Sequence, residues 1–234
     1  MAIKDALAAL DWRESAVSAA EAAAMIPAGS SVYIGGGCAV PITVVKALQD
    51  LAMEKPGIRL VHSITVLGDE TFSAALRHRT SAVGPSDAHL AATGRAQYVP
   101  LLAGEFPSSM FEGRIDVDVA VVQVAPPDAL GNCSLGITVG SAPAAITKAK
   151  LVIAEVNEAM PRVKGEALIP VTAFDALVRI EPGLTDYVPA SPGADPEKIA
   201  RYVARLVDDG STLHIGLGPI PPIVLQYLDT RHDL

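Results

Sequence analysis

The chain is poor in aromatic residues, in basic residues and in cysteine, and each shortage narrows what it does. Aromatic side chains make up 4% of the 234 residues although half are hydrophobic. The apolar content is therefore mostly Ala, Val, Leu and Ile, which suits a soluble α/β protein with closely packed helices. Basic residues number 18 against 26 acidic ones, for a net charge of −8, and a nucleic-acid binder would need a basic face. Arg77-His78-Arg79 is the densest basic cluster and reads as a solvated loop. Two cysteines, Cys38 and Cys133, are too few for a disulfide framework or a zinc site, so reduced cytosolic thiols and no metal are expected. Mean hydropathy is positive at +0.35, yet no uninterrupted apolar run reaches the roughly 18 residues of a spanning helix. The N-terminus carries Lys4 and Asp5 and lacks the apolar core of a signal peptide. A cytoplasmic protein is expected, with no membrane and no nucleic acid as partner. At this length the chain buries one large core or two small ones.

What is present is an alternation of strands and helices. Residues 14–26 read as an alanine-rich amphipathic helix with Ser15 as N-cap. Ser31–Ile34 reads as a buried strand, Gly35-Gly36-Gly37 as a tight turn, and Pro41–Lys55 as a helix opened by proline. Further strands are expected at Arg59–Leu67, at Val117–Val124, whose apolar β-branched run fits a strand covered on both faces, at Leu151–Asn157, and once or twice within 168–180. Helices are expected from Ser86, over 105–113, over 141–150 and over 197–209. With short connections, this order predicts a three-layer α/β/α fold on a largely parallel sheet. Residues 181–196 are rich in Pro and Gly without apolar period and read as a linker or surface crossover. The domain boundaries that follow are 1–185 for an N-terminal domain, 186–196 for a linker, and 197–234 for the beginning of a second.

An internal repeat supports that division. Residues 28–48 and 209–229 align without gaps, with Gly35 and Gly216 standing 181 residues apart. Gly29, Ser30, Ile34, Gly35, Gly37 and Pro41 match Gly210, Ser211, Ile215, Gly216, Gly218 and Pro222. Each copy follows an amphipathic helix, and in the second Leu213–Ile215 reads as the strand. The separation is too long for a solenoid and implies two similar α/β domains. Neither copy is a dinucleotide fingerprint, since the third glycine and the acidic residue are missing, and neither carries the Gly-Lys-Ser/Thr of a P-loop. A nicotinamide-dependent oxidoreductase is thereby disfavoured. The loop glycines either let strand and helix pack closely or turn N–H groups toward a carbonyl or carboxylate; the local sequence leaves both open.

Four stretches carry a resemblance that covers almost the whole chain: GGGCAVPITVVKAL (35–48), DVAVVQVAPPDALGNCSLG (118–136), AKLVIAEVNEAMPR (149–162) and DGSTLHIGLGPIPPIVLQYL (209–228). Together they resemble, in order, the N-terminal half of the acetyl-CoA hydrolase/transferase family, in particular its 4-hydroxybutyrate and butyryl-CoA:acetate CoA-transferases. The resemblance implies a CoA-transferase-like fold of two similar halves that moves CoA between an acyl thioester and a short-chain carboxylate such as acetate. It implies CoA as substrate with no bound cofactor, and a homodimer or higher oligomer in the full enzyme. A glutamate carboxylate would attack the acyl-CoA carbonyl, giving an acyl-glutamyl anhydride and then a glutamyl-CoA thioester. N–H donors would stabilise the oxyanion.

That glutamate is expected just beyond Leu234, in the C-terminal half or on a partner subunit that also carries most CoA contacts. No catalytic residue is expected within this chain, which should be inactive alone. The substrate-contacting residues implied are Gly35, Gly36, Gly37, Cys38 and Pro41 in the first loop, and Gly216, Gly218, Ile220 and Pro221 in the second. Glu105 and Asp128 are expected to order loops around the site, Glu155 to be a strand-end acceptor and Glu158 to be solvated. Two departures stand out. Family members often carry Gln where His214 stands, here read as a core or strand-end histidine, and Gly-Glu-Pro where this chain has Ala39-Val40-Pro41. Cys38, at a helix N-terminus, is a candidate for a lowered pKa, but a small residue needed for close packing is the better reading. Alternatives are an acyl-CoA hydrolase, or a non-catalytic acyl-binding or partner subunit of the same fold.

Overall fold

The computed structural model describes residues 11–66, 76–187 and 194–234, and the chain divides into two compact units, residues 1–186 and 187–234. The expectations for the N-terminal segment and for Leu67 fall outside the described residues.

In the first unit a seven-stranded sheet is built from β1 (Ser31–Ile34), β2 (Arg59–His62), β3 (Arg77–Thr80), β4 (Ala96–Tyr98), β5 (Val119–Val124), β7 (Leu151–Val156) and β9 (Ala176–Arg179). Its order is β4-β3-β2-β1-β5-β7-β9, and every neighbouring pair is parallel. Two short strands, β6 (Asn132–Ser134) and β8 (Leu168–Pro170), pair antiparallel beside it. Helices cover both faces, because successive strand residues point to opposite sides. On one side Val32, Ile34, Val119, Val121 and Ile153 meet α1 (Ala19–Met25) and α2 (Ile42–Asp50). On the other, Tyr33, Ala120, Val122 and Ala154 meet α4 (Glu105–Phe111) and α5 (Ala142–Lys148). A further helix, α3 (Pro85–Ala92), precedes β4. This is the three-layer arrangement that the strand–helix alternation predicts.

Several local expectations change. Helix α1 starts at Ser18, not Ser15. Ser18 and Glu21 form a reciprocal capping box: the Glu21 N–H donates to Ser18 Oγ and the Ser18 N–H to Glu21 Oε2. Upstream, Val17 donates to Leu177 O and bridges to Val178, so the chain is extended along the sheet edge where the earlier start would need it helical. Pro41 is the N-cap of α2. Arg77-His78-Arg79 is not a solvated loop but most of β3, with His78 and Thr80 buried on one side and Arg77 exposed on the other. The Arg59 strand stops at His62, since Thr65 leaves it to bridge Gly37.

The second unit contains α6 (Ala194–Ala204) and α7 (Pro221–Gln226), which pack together around Ala200, Ala204, Val207, Ile223, Val224 and Leu228. The expected strand at Leu213–Ile215 does not form: no ladder partner exists for it among the described residues, and Ile215 is 43% exposed. Gly29 and Gly210, matched in the repeat, share a left-handed φ of 77° and 76°. Among the described residues no helix is long and apolar enough to cross a membrane.

Candidate functional site

The sheet order reverses between β1 and β5: the chain builds outward through β2, β3 and β4, then returns to lay β5, β7 and β9 on the other side. In open parallel sheets such a switch point leaves a crevice at the carboxyl ends of the strands, where ligands bind. The loops that leave those ends here are Gly35–Pro41 after β1, Ala125–Asp128 after β5 and Asn157–Glu158 after β7. They hold three of the most distinctive stretches in the sequence.

The first loop is folded tightly. Gly35 N–H donates to Val121 O at 2.9 Å, extending the β1–β5 ladder, and Gly37 N–H donates to Ile64 O at 2.7 Å. Gly36 N–H forms no hydrogen bond among the described residues. A Cβ on Gly36 would sit 2.8 Å from Ile64 O, and one on Gly37 would sit 2.6 Å from Thr138 Oγ1 with φ at +57°. The glycines are therefore required for close packing, and only Gly36 retains an uncommitted N–H. Cys38 is half-buried and is not joined to Cys133, whose thiol burial pushes up to about 12. Val40, where the resemblance implies an acidic residue, is wholly buried in the core.

Beneath this loop lies a polar layer. The strands VAVVQV and LVIAEV each carry one polar residue, Gln123 and Glu155, which stand opposite each other in register and are buried. Helix α2 begins at Pro41, which supplies no side-chain cap. Glu155 provides one from across the sheet: its Oε1 accepts the Val44 N–H at 2.6 Å, satisfying one of the donors that a helix start leaves open and placing negative charge at the positive end of the helix. Among the described residues its Oε2 has no partner in hydrogen-bonding geometry. Burial pushes the Glu155 carboxyl up to about 7, against the opposing pull of the Val44 N–H, the Gln123 side chain and the Thr43 N–H. Gln123 donates to Val40 O and accepts from Asn157 Nδ2, which also donates to Gly183 O at 2.6 Å. Loop, strand ends and the Pro-Gly crossover after β9 are thus tied together by three buried side chains.

Around this layer, Asp128 orders its own loop. Its Oδ1 accepts the Leu130 and Asn132 N–H groups at 2.9 Å, and Arg162 pairs with its Oδ2 at 2.8 Å. The Asn132 N–H, then the Leu130 N–H and Arg162, hold its carboxyl below the usual range. Glu105 accepts the Leu102 N–H and so orders the start of α4. Glu158 is exposed, as expected, and bridges Arg13 at 3.2 Å and Arg179 at 3.6 Å. A cavity of about 550 Å³ opens here between Thr43, Glu158, Arg179, Ile180, Glu181 and Pro182. On the neighbouring strands, His62 Nε2 and His78 Nδ1 stand 3.1 Å apart. Burial, and then His62, lower His78 to about 3. Among the described residues no cluster of side chains forms a metal site.

The second loop differs. A Cβ on Gly216 or Gly218 would meet nothing within 4 Å among the described residues. His214 is exposed, neither core nor strand-end. Ile220 packs against the α6–α7 core and Pro221 opens α7.

Residues 3–204 match the model of the acetyl-CoA hydrolase/transferase N-terminal domain. A 4-hydroxybutyrate coenzyme A transferase of Clostridium kluyveri is 34% identical over 227 residues, which is 95% of this chain and 53% of that protein. Among solved structures, RipA from Yersinia pestis superposes with a TM-score of 0.85 at 28% identity, over 96% of this chain and 57% of that one. A 4-hydroxybutyrate CoA-transferase from Porphyromonas gingivalis gives 0.72 at 28%, over 94% and 52%. The chain spans about half the length of the curated relatives it matches.

Proposed function

The chain belongs to the acetyl-CoA hydrolase/transferase family, and from that premise we propose that it forms the N-terminal part of a CoA-transferase exchanging CoA between a short-chain acyl-CoA and a carboxylate such as acetate. The observation that carries this reading is the meeting of three family motifs at the sheet's switch point. A glutamate carried by a C-terminal region or partner would attack the thioester carbonyl and expel the CoA thiolate, leaving an acyl-glutamyl anhydride. The thiolate would then attack the glutamyl carbonyl and release the carboxylate, and the acceptor acid would reverse both steps. This chain's part is to bind and orient the acyl group. Gly36 N–H is the donor that the first loop can offer to a developing oxyanion. Glu155 acts as a positioning residue, since its bond to the Val44 N–H fixes the helix that the loop enters. Gly35, Gly37, Cys38 and Pro41 complete the first substrate-contacting loop, with Gly216, Gly218, Ile220 and Pro221 forming the second. The repeat supports residues 197–234 as the opening of a second domain of similar kind.

The test is reconstitution. Labelled acetate should enter acyl-CoA only when the chain is mixed with a C-terminal half from a relative. Nothing should be seen with the chain alone, or with a half whose glutamate is changed to Gln. Turnover at an ordinary enzymatic rate by the isolated chain would overturn the proposal.

A further inference from the structure

The second unit carries Lys198, Arg201, Arg205 and Arg231 against six acidic residues, Asp195, Glu197, Asp208, Asp209, Asp229 and Asp233. A cavity of about 280 Å³ between α6 and the end of α7 is lined by Arg201, Ala204, Arg205, Tyr227, Thr230 and Arg231, with no acidic side chain among them. One of the three guanidinium groups is fixed in place. Arg201 donates to Tyr227 Oη at 3.0 Å, pairs with Glu197 at 3.4 Å and lies over the Tyr227 ring, 5.4 Å from its centroid. Tyr227 Oη in turn donates to Glu197. Arg205 lies over the Tyr202 ring. Neither Arg205 nor Arg231 has a carboxylate within ion-pair distance among the described residues. Two arginines without a carboxylate partner among the described residues, a third already oriented, and Thr230 thus line one small space.

We propose that this cavity binds a phosphate group, held by Arg205, Arg231 and the Thr230 hydroxyl and bordered by the fixed Arg201. A phosphate dianion matches two uncompensated cations, and its several acceptor oxygens use donors arriving from different directions; a carboxylate is served by one guanidinium. The ligand is either the phosphate of a nucleotide-bearing substrate such as CoA or free inorganic phosphate. The site stands on the second unit's own geometry and holds whether or not the chain takes part in CoA transfer.

The test uses the full chain, following the arginine Nε–H signals by NMR in low-salt buffer during titration with inorganic phosphate, CoA, dephospho-CoA and acetate. Phosphate should shift the Arg205 and Arg231 signals to saturation. Arg231→Gln or Arg205→Gln should each weaken binding about ten-fold, and Arg114→Gln in the first unit should leave it unchanged. Binding of CoA more tightly than dephospho-CoA assigns the site to the 3′-phosphate; CoA no tighter than phosphate assigns it to the free ion. If the arginines serve only the carbonyl ends of the two helices, phosphate will give no saturation, or will match acetate, or will be unaffected by both variants. Any of these three results overturns the proposal.

Discussion

The repeat places nearly the same residues in two settings, and the settings decide what they become. In the first copy Ser31–Ile34 is a strand because β2 and β5 pair with it on either side, and Ile34 is fully buried. In the second, Thr212–Ile215 has no ladder partner among the described residues, and Ile215 is 43% exposed. The helices behave alike in both copies. Ala23 and Ile26 of the first correspond to Ala204 and Val207 of the second, and all four are buried. A helix satisfies its own backbone and needs only one apolar partner, so α6 and α7 form a core by themselves. A strand owes its hydrogen bonds to neighbours and cannot exist without them.

The comparison is broken most directly by paired truncations. Ile34→Ala should cost about 2–5 kcal/mol, as expected for a large core residue, whereas Ile215→Ala should stay within about 0.5 kcal/mol in urea melts of the chain. Equal costs would mean that the second copy is packed as the first is.

The next effect is confined to the first unit and depends on pH. The folded state raises the Glu155 carboxyl from its ordinary 4.5 to about 7. Between those values the folded protein holds the proton more tightly, so this group makes stability fall as pH rises, by roughly 3 kcal/mol in all. His78 is lowered from 6.5 to about 3. There the unfolded chain binds the proton first, so stability falls as pH drops through that window. The two slopes oppose each other between pH 4.5 and 6.5. Glu155→Gln should leave only the histidine slope, with stability rising steadily from pH 3 to 6.5. A variant whose profile parallels wild type would show that the carboxyl is not perturbed.

How much was legible follows the same physics. The core strands of the parallel sheet were readable because burial on both faces leaves continuous β-branched runs, as in Val119–Val124. β3 was not, because two arginines flank His78 and only their alternation with buried His78 and Thr80 marks a strand. Leu213–Ile215 reads as a strand from its apolar pattern and its twin, but sequence pattern carries no information on whether a neighbour is present. At the site, the glycine loop and Asp128 were visible as motifs. The Glu155 cap was not, since Val44 and Glu155 are 111 residues apart in sequence. Its signal was there in retrospect: a lone polar residue in each of two apolar strands, Gln123 and Glu155, one step before the strand end.

The central proposal is that Leu213–Ile215, which has no ladder partner among the described residues, pairs as a strand only when a C-terminal half is present. Amide hydrogen exchange at Ile34 and Ile215, measured for the chain alone and then with a relative's C-terminal half, tests it most directly. The Ile34 amide should be strongly protected throughout, and the Ile215 amide should exchange at nearly the unstructured rate until the C-terminal half is added, then become protected. Strong protection of Ile215 in the isolated chain, or none in the mixture that exchanges CoA, would contradict it.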